Sequence, residues 1–270
     1  MIEIPDVMQV ADWYWSVFIG VHWGFRKHAA VFWCCTGQVS PEVAAARLGI
    51  GTLANPWPES LDVIIFFREY IRDFVPEVDL ARAIVDMTPE KERRNVRRIY
   101  AGSSAFAQGE GTVRTIAQLM NPTLREGDLP ALTRTDDTQE NRVPTFRMVY
   151  EGMRRTMVLR GPDPPVEEER ITTPLLLVSA ECKDLVSIVP SLEKDPKNEE
   201  DIRVVGTKQD SVWGAMGNAY RNWPAILRSE PESVKRYRAI AAGSDPNHQR
   251  MNMLAYDAKN RSGRRVRRIV

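Results

Sequence analysis

Residues 15–24, WSVFIGVHWG, and residues 27–35, KHAAVFWCC, decide the fold. The first is a short apolar, β-branched run that ends in a polar residue and a glycine, the pattern of a buried strand entering a tight turn. The second is its return, so the pair predicts a hairpin with its turn near Gly24–Lys27. Residues 61–70, LDVIIFFREY, predict a third strand, apolar until Arg68, Glu69 and Tyr70. Residues 40–60 carry Pro41, Gly49, Gly51, Pro56 and Pro58 and read as a loop insertion.

Downstream, PEVDLARAIVD (76–86) predicts a helix, with Pro76 tolerated in its first turn. VRRIYA (96–101) predicts a short strand, and TVRTIAQLM (112–120) and PTFRMVYEGMRRTMV (144–158) predict amphipathic helices. GPDPPVEEE (161–169) is a loop by composition, and PLLLVS (174–179) is another buried strand. KDLVSIVP (183–190) predicts a short helix, KDPKNEED (194–201) a polar turn, and SVWGAMGNAYR (211–221) a helix weakened by Gly214 and Gly217. Strands followed by alternating helices and strands predict an α/β fold, a mixed β-sheet flanked by helices. Residues 1–224 read as one domain. Residues 225–270 read as a polar, basic tail, either solvated or in contact with DNA or a partner.

The composition narrows the class. The 270 residues include 37 Lys and Arg against 36 Asp and Glu, 43% are hydrophobic and 27% charged. That balance excludes a wholly disordered chain, a collagen-like repeat and a multi-span membrane protein. Cys34, Cys35 and Cys182 have no zinc-ligand spacing and suit a reducing compartment. The acidic N-terminus is unlike a signal peptide, and Asp12, His22, Arg26 and Lys27 break the aromatic stretch that follows, so a cytoplasmic protein without a membrane span is expected. Neither GxxxxGK[ST] nor GxSxG occurs, so no ATP hydrolysis by a phosphate-binding loop is expected.

Three polar residues stand out by what precedes or follows them. His22 ends one buried run, Glu69 ends another, and Asp210 precedes a predicted helix. A carboxylate at the end of a buried strand is costly unless paired, and a divalent metal pairs it well. Carboxylates from separate elements could hold Mg²⁺ or Mn²⁺ for phosphodiester hydrolysis. Each also has a simpler reading: Glu69 as partner of Arg68, Asp210 as a helix cap, His22 as a hydrogen-bonded core histidine.

Four segments, in order, resemble the nuclease domain of phage terminase large subunits. They are FIGVHWGFRKHAAVFW (18–33), FREYIR (67–72), NRVPTFRMVYEGM (141–153) and the stretch from Pro174 to Arg221. The resemblance spans roughly residues 15–223 and implies a ribonuclease H-like fold. It implies a metal-dependent endonuclease that cuts concatemeric viral DNA during packaging in the host cytoplasm. His22, Glu69 and Asp210 then occupy the catalytic and metal positions, with two Mg²⁺ or Mn²⁺ ions. Arg142, Arg147, Arg264 and Arg265 contact double-stranded DNA, and a separate ATPase subunit, portal or small terminase subunit is the implied partner. The chain departs from the pattern at His22, where the family has Asp, at Gly214, where it has a second Asp, and at Gly217-Asn218, where it has Arg-Tyr. Those departures imply a weakened enzyme or, alternatively, a catalytically inactive DNA-binding or assembly module.

Overall fold

The buried runs form the sheet as read. In this computed structural model, which describes residues 16–24, 28–39, 61–108, 113–159, 175–196, 198–203 and 207–223, β1 is Ser16–His22, β2 His28–Val39 and β3 Leu61–Asp73. The three strands form an antiparallel meander, with His22 opposite Ala30 and Phe32 opposite Glu69. β4 (Val96–Ala101) lies parallel to the free side of β1, and β5 (Leu132–Arg134) lies parallel to β4. β6 (Leu175–Val178) pairs in parallel with β3. The order is β5-β4-β1-β2-β3-β6, in which β2 alone runs against the rest. This is a mixed α/β sheet flanked by helices on both faces. The C-terminal ends of β1, β3, β4, β5 and β6 therefore share one edge.

Both faces are covered, which is why the strands read as continuous apolar runs rather than alternating ones. On one face, α1 (Glu77–Asp86) and α3 (Ile116–Glu126) bury Leu80, Ala81, Ile84, Ala117, Met120 and Leu124 against Ile19, Val31, Trp33 and Ile65. The four-residue α2 (Glu90–Arg93) leads from α1 into β4. The Thr115 and Gln118 side chains each accept the other's backbone N–H, a capping box that fixes the start of α3. On the other face, α4 (Gln139–Leu159), α5 (Lys183–Ile188) and α6 (Lys208–Tyr220) cover Phe18, Phe32, Ile64 and Phe66.

α6 reaches the backbone of β1 because the residues between them are small. A Cβ at Gly20 would collide with the Ala215 carbonyl oxygen and lie 2.7 Å from the Ala219 Cβ. Asn218 Nδ2 then donates to the Val21 carbonyl at 2.9 Å, pinning the helix to the end of the strand.

Several elements differ from the sequence reading. α4 begins at Gln139 and carries Pro144 within it, and α3 continues past Pro122. α5 ends at Ile188 and a 3-10 turn, Val189–Ser191, follows. β5, α2 and an antiparallel pair, β7 (Lys194–Asp195) with β8 (Asn198–Ile202), occur where no element was predicted. The turn at 25–27, the insertion at 40–60, the loop at 161–169 and the tail from 225 lie outside the described residues.

Candidate metal centre

His22 and Glu69 point to the same side of the sheet, the side that α6 covers. Directly opposed residues share a face, and the register aligns Gly20, Phe32 and Glu69 across three strands, with His22, Ala30 and Ile71 one step further. A bulge sets this phase for Glu69. The β2–β3 register shifts between Trp33 and Cys34, where Arg68 and Phe66 are the successive partners and Phe67 is extra. Phe67 and Arg68 thus both turn toward α1, and Glu69 falls on the face of Phe66.

Glu69 is half-buried, and its carboxylate closes the start of α5. Oε1 accepts the Asp184 N–H at 2.8 Å, and Oε2 accepts the Leu185 N–H at 3.1 Å. Burial pushes its pKa up, the two amides and Lys208 pull it back, and the Asp184 charge adds to the rise. Arg68 is not its partner. Arg68 donates to Glu92 on the opposite face at 2.9 and 3.3 Å.

Asp210 lies inside the first turn of α6 rather than before it, because the helix starts at Lys208. Asp210 is not the N-cap, which is Thr207; it is the third residue of the helix, and its Oδ2 accepts the Thr207 N–H at 3.1 Å, the reciprocal half of a capping box. One turn further along the same row of the helix is Gly214. A Cβ there would lie 2.5 Å from His22 Nδ1, 3.1 Å from its Cγ and 3.3 Å from its Cε1. The imidazole therefore rests on the helix backbone where a side chain at 214 would project. Two residues before Asp210, Lys208 Nζ meets Asp184 Oδ1 at 2.5 Å, at the same α5 turn that Glu69 holds. Glu69 thus sits at the start of α5, where Lys208 of α6 meets Asp184, and His22 lies against α6 one turn beyond Asp210.

The donor chemistry is two carboxylates and one imidazole. That set suits one borderline ion such as Mn²⁺ or Zn²⁺ better than Mg²⁺, which takes oxygen donors. Two divalent ions there would set four cationic charges against two carboxylate ones. Among the described residues, no three His, Cys, Asp or Glu side chains stand close enough together to hold a metal ion.

Arg142 and Arg147 lie on α4, Arg147 exposed and Arg142 partly so. Arg142 neighbours Arg221, whose pKa is lowered first by burial and further by the Arg142 charge, with Asp137 and Asp136 opposing. Arg221 donates from Nε to Thr145 Oγ1 at 2.7 Å, tying the end of α6 to α4. Arg264 and Arg265 lie outside the described residues. Sequence reasoning missed the Asp184–Lys208 pair. It also missed Asp137, whose Oδ1 accepts the Ser103 N–H at 3.0 Å and the Ser103 hydroxyl at 2.5 Å beside Gly102, at the end of β4. Neither pattern is periodic, and only the topology brings these residues to the edge.

No protein-family model matches the chain, and no curated protein matches it. Solved structures similar to it include phage large terminases and their nuclease domains. The large terminase of the thermophilic bacteriophage D6E is 11% identical, over 78% of this chain and 41% of that one, with a TM-score of 0.46. The P22 large terminase nuclease domain is 8% identical, over 79% of this chain and 84% of that one, with a TM-score of 0.46. Thermus thermophilus RuvC is 9% identical, over 78% of this chain and 97% of that one, with a TM-score of 0.30. The chain thus spans well under half the length of the D6E protein it matches.

Proposed function

We propose that residues 1–224 form a DNA endonuclease domain of the phage terminase type, which cuts concatemeric viral DNA during packaging. What supports this reading is that His22 ends β1 and Glu69 lies near the end of β3, both on the sheet face that α6 covers. Drawn together around a bound cation, a strand carboxylate, a helix carboxylate and an imidazole would face a phosphodiester. A divalent ion bound there supplies a polarised water and screens the leaving oxygen. Glu69 and Asp210 contribute the negative charge that attracts the ion, and His22 adds a neutral nitrogen that favours Mn²⁺ over Mg²⁺. Arg142 and Arg147, with Arg264 and Arg265 of the 225–270 tail, hold backbone phosphates of the duplex. A separate ATPase subunit, a portal or a small terminase subunit is the partner this reading implies. The place of action is the host cytoplasm, and no described helix is long and apolar enough to cross a membrane.

Plasmid nicking by the purified chain tests the reading. Nicking in Mn²⁺ that Glu69→Gln and Asp210→Asn each abolish supports it. A second reading, a catalytically inactive DNA-binding or assembly module, is favoured by the imidazole seated on Gly214 and by the two amides that engage Glu69. Duplex binding without nicking and without Mn²⁺ uptake decides for the module.

A further inference from the structure

We propose that the cavity beside Trp23 is a pocket for one unpaired nucleobase of a DNA substrate; this rests on the DNA-binding part of the reading above and not on the metal. The cavity has a volume of about 560 Å³, in the range of small-molecule sites. Its walls come from segments that leave three strands at one edge of the sheet: Trp23 after β1, Glu77 after β3 and Gln108 after β4. Crevices outside the carboxyl ends of strands are where open α/β sheets bind ligands. Trp23 follows His22 directly, yet it packs on the α1 and α3 face, whereas the His22 ring lies against α6. The cavity and the candidate site thus lie at the same end of β1, on opposite faces of the sheet.

The lining fits a planar ring with polar edges. Trp23 Nε1 donates to the Val75 carbonyl at 3.1 Å, and the residue makes a further interaction besides, so it is anchored at more than one point. Ile116 and Leu119 of α3 add aliphatic walls. Glu77, Gln108 and Arg114 bring to the same cavity an acceptor, an amide that both donates and accepts, and a donor. A nucleobase uses both parts: an aromatic or apolar surface to stack on, and mixed donors and acceptors for its edge. An aliphatic side chain of a protein partner would use only the walls. A base inside a duplex cannot enter a cavity, so the occupant is an unpaired one.

The test uses the full chain in a chelator, so that the state of any metal site does not enter. The probe is a DNA duplex with one bulged 2-aminopurine, whose fluorescence falls on stacking, against the same duplex fully paired. The bulged duplex should bind about tenfold tighter, at the low end of what one stacked base contributes, with quenching of the probe. Trp23→Leu should remove the preference and the quenching while leaving affinity for the paired duplex unchanged. Ala107→Leu, at an exposed position on the cavity wall, should do the same without touching the core. If Trp23→Leu fails to fold, Ala107→Leu decides alone. Equal binding of the two duplexes by the parent overturns the pocket and leaves the DNA-binding reading standing. A preference that survives either folded variant also overturns the pocket, because the base is then held elsewhere. No binding of either duplex overturns the pocket and the DNA-binding reading together.

Discussion

Arg68 and Glu69 are neighbours in sequence, and β3 sends them to opposite faces, where their charges are met in different ways. Arg68 crosses toward α1 and forms two hydrogen bonds to Glu92, whose side chain is 4% exposed. Its guanidinium also lies 5.2 Å from the Phe67 ring centre and 5.8 Å from that of Trp33. That pair is closed on itself: opposite charges, bidentate, walled by aromatics. Among the described residues, no cation bonds directly to Glu69. Two backbone amides hold it, and Lys208, whose charge acts on it, is paired with Asp184. A carboxylate satisfied by dipoles keeps its full charge and can still recruit a cation, whereas one neutralised by arginine cannot. The difference separates a structural charge from a candidate ligand, two positions that look alike in the string Arg68-Glu69.

The largest effect should come from breaking the α6 face at its tightest point. Gly20→Val places branched carbons against the Ala215 carbonyl and the Ala219 Cβ, where no side chain can yield. We expect a loss of about 4 kcal/mol or more, the range reserved for severe overpacking. On the α1 face, Ile84→Val should cost only about 1 kcal/mol, because large side chains there share the space. Urea midpoints at constant slope measure both, and equal costs would refute the contrast.

Next comes the closed ion pair. Glu92→Ala leaves Arg68 largely buried without its partner and should cost about 2–3 kcal/mol, somewhat below the range for a fully buried pair because Arg68 keeps 23% exposure. Glu69→Gln should cost well under half of that in the same denaturation assay. A larger loss for Glu69→Gln would make Glu69 the structural charge and reverse the assignment.

His22→Asp should be smaller again in free energy and visible in catalysis rather than stability. It restores an oxygen donor and a negative charge, and the shorter side chain vacates the space at Gly214. Nicking in Mg²⁺ should rise about tenfold, equivalent to about 1.4 kcal/mol of transition-state stabilisation. Glu69→Gln and Asp210→Asn should each abolish the gain. A variant no faster than the parent in Mg²⁺, with both binding metal, removes His22 from the ligand set.

How much of this was legible depended on whether the signal was local. β1, β2, β3, β4 and β6 were readable because two covered faces demand unbroken apolar runs, as in Val63–Phe67. Thr115 and Gln118 mark a helix start by a local rule, yet the apolar spacing was read only to Met120, and the helix runs on through Pro122 to Glu126. β5, three residues long, owes its existence to Ile99 and Ala101 across the sheet and carries no pattern of its own. In the candidate site, strand ends betrayed His22 and Glu69. The face that Glu69 takes depends on the bulge at Phe67, which simple alternation from Val63 would have contradicted. Gly214 was noticed as a helix-weakening glycine and a missing acid. That it accommodates the imidazole is a fact of three dimensions.

The smallest predicted effect is a pH slope that Glu69 should carry on the α6 face. Its folded pKa lies above the ordinary 4.5, with burial the leading cause. In the interval from 4.5 up to that folded value, the native chain holds more protons at this site than the unfolded chain does. Unfolding then releases protons, so stability falls as pH rises through the interval. The contribution is complete below 4.5 and gone above the folded value. Because the group is only half-buried, solvent keeps the slope shallow. Glu69→Gln should flatten it, and Asp184→Asn should shrink it, since the Asp184 charge is one cause of the rise. Mn²⁺ should act in the opposite direction over the same interval. A metal ligand must be deprotonated, so the stabilisation that Mn²⁺ brings should grow with pH as the Glu69 carboxyl ionises. Melting curves with and without Mn²⁺ across pH 4 to 7 measure both trends. Parallel profiles for the parent and Glu69→Gln would show that this carboxylate, like Glu92 on the other face, serves only the fold.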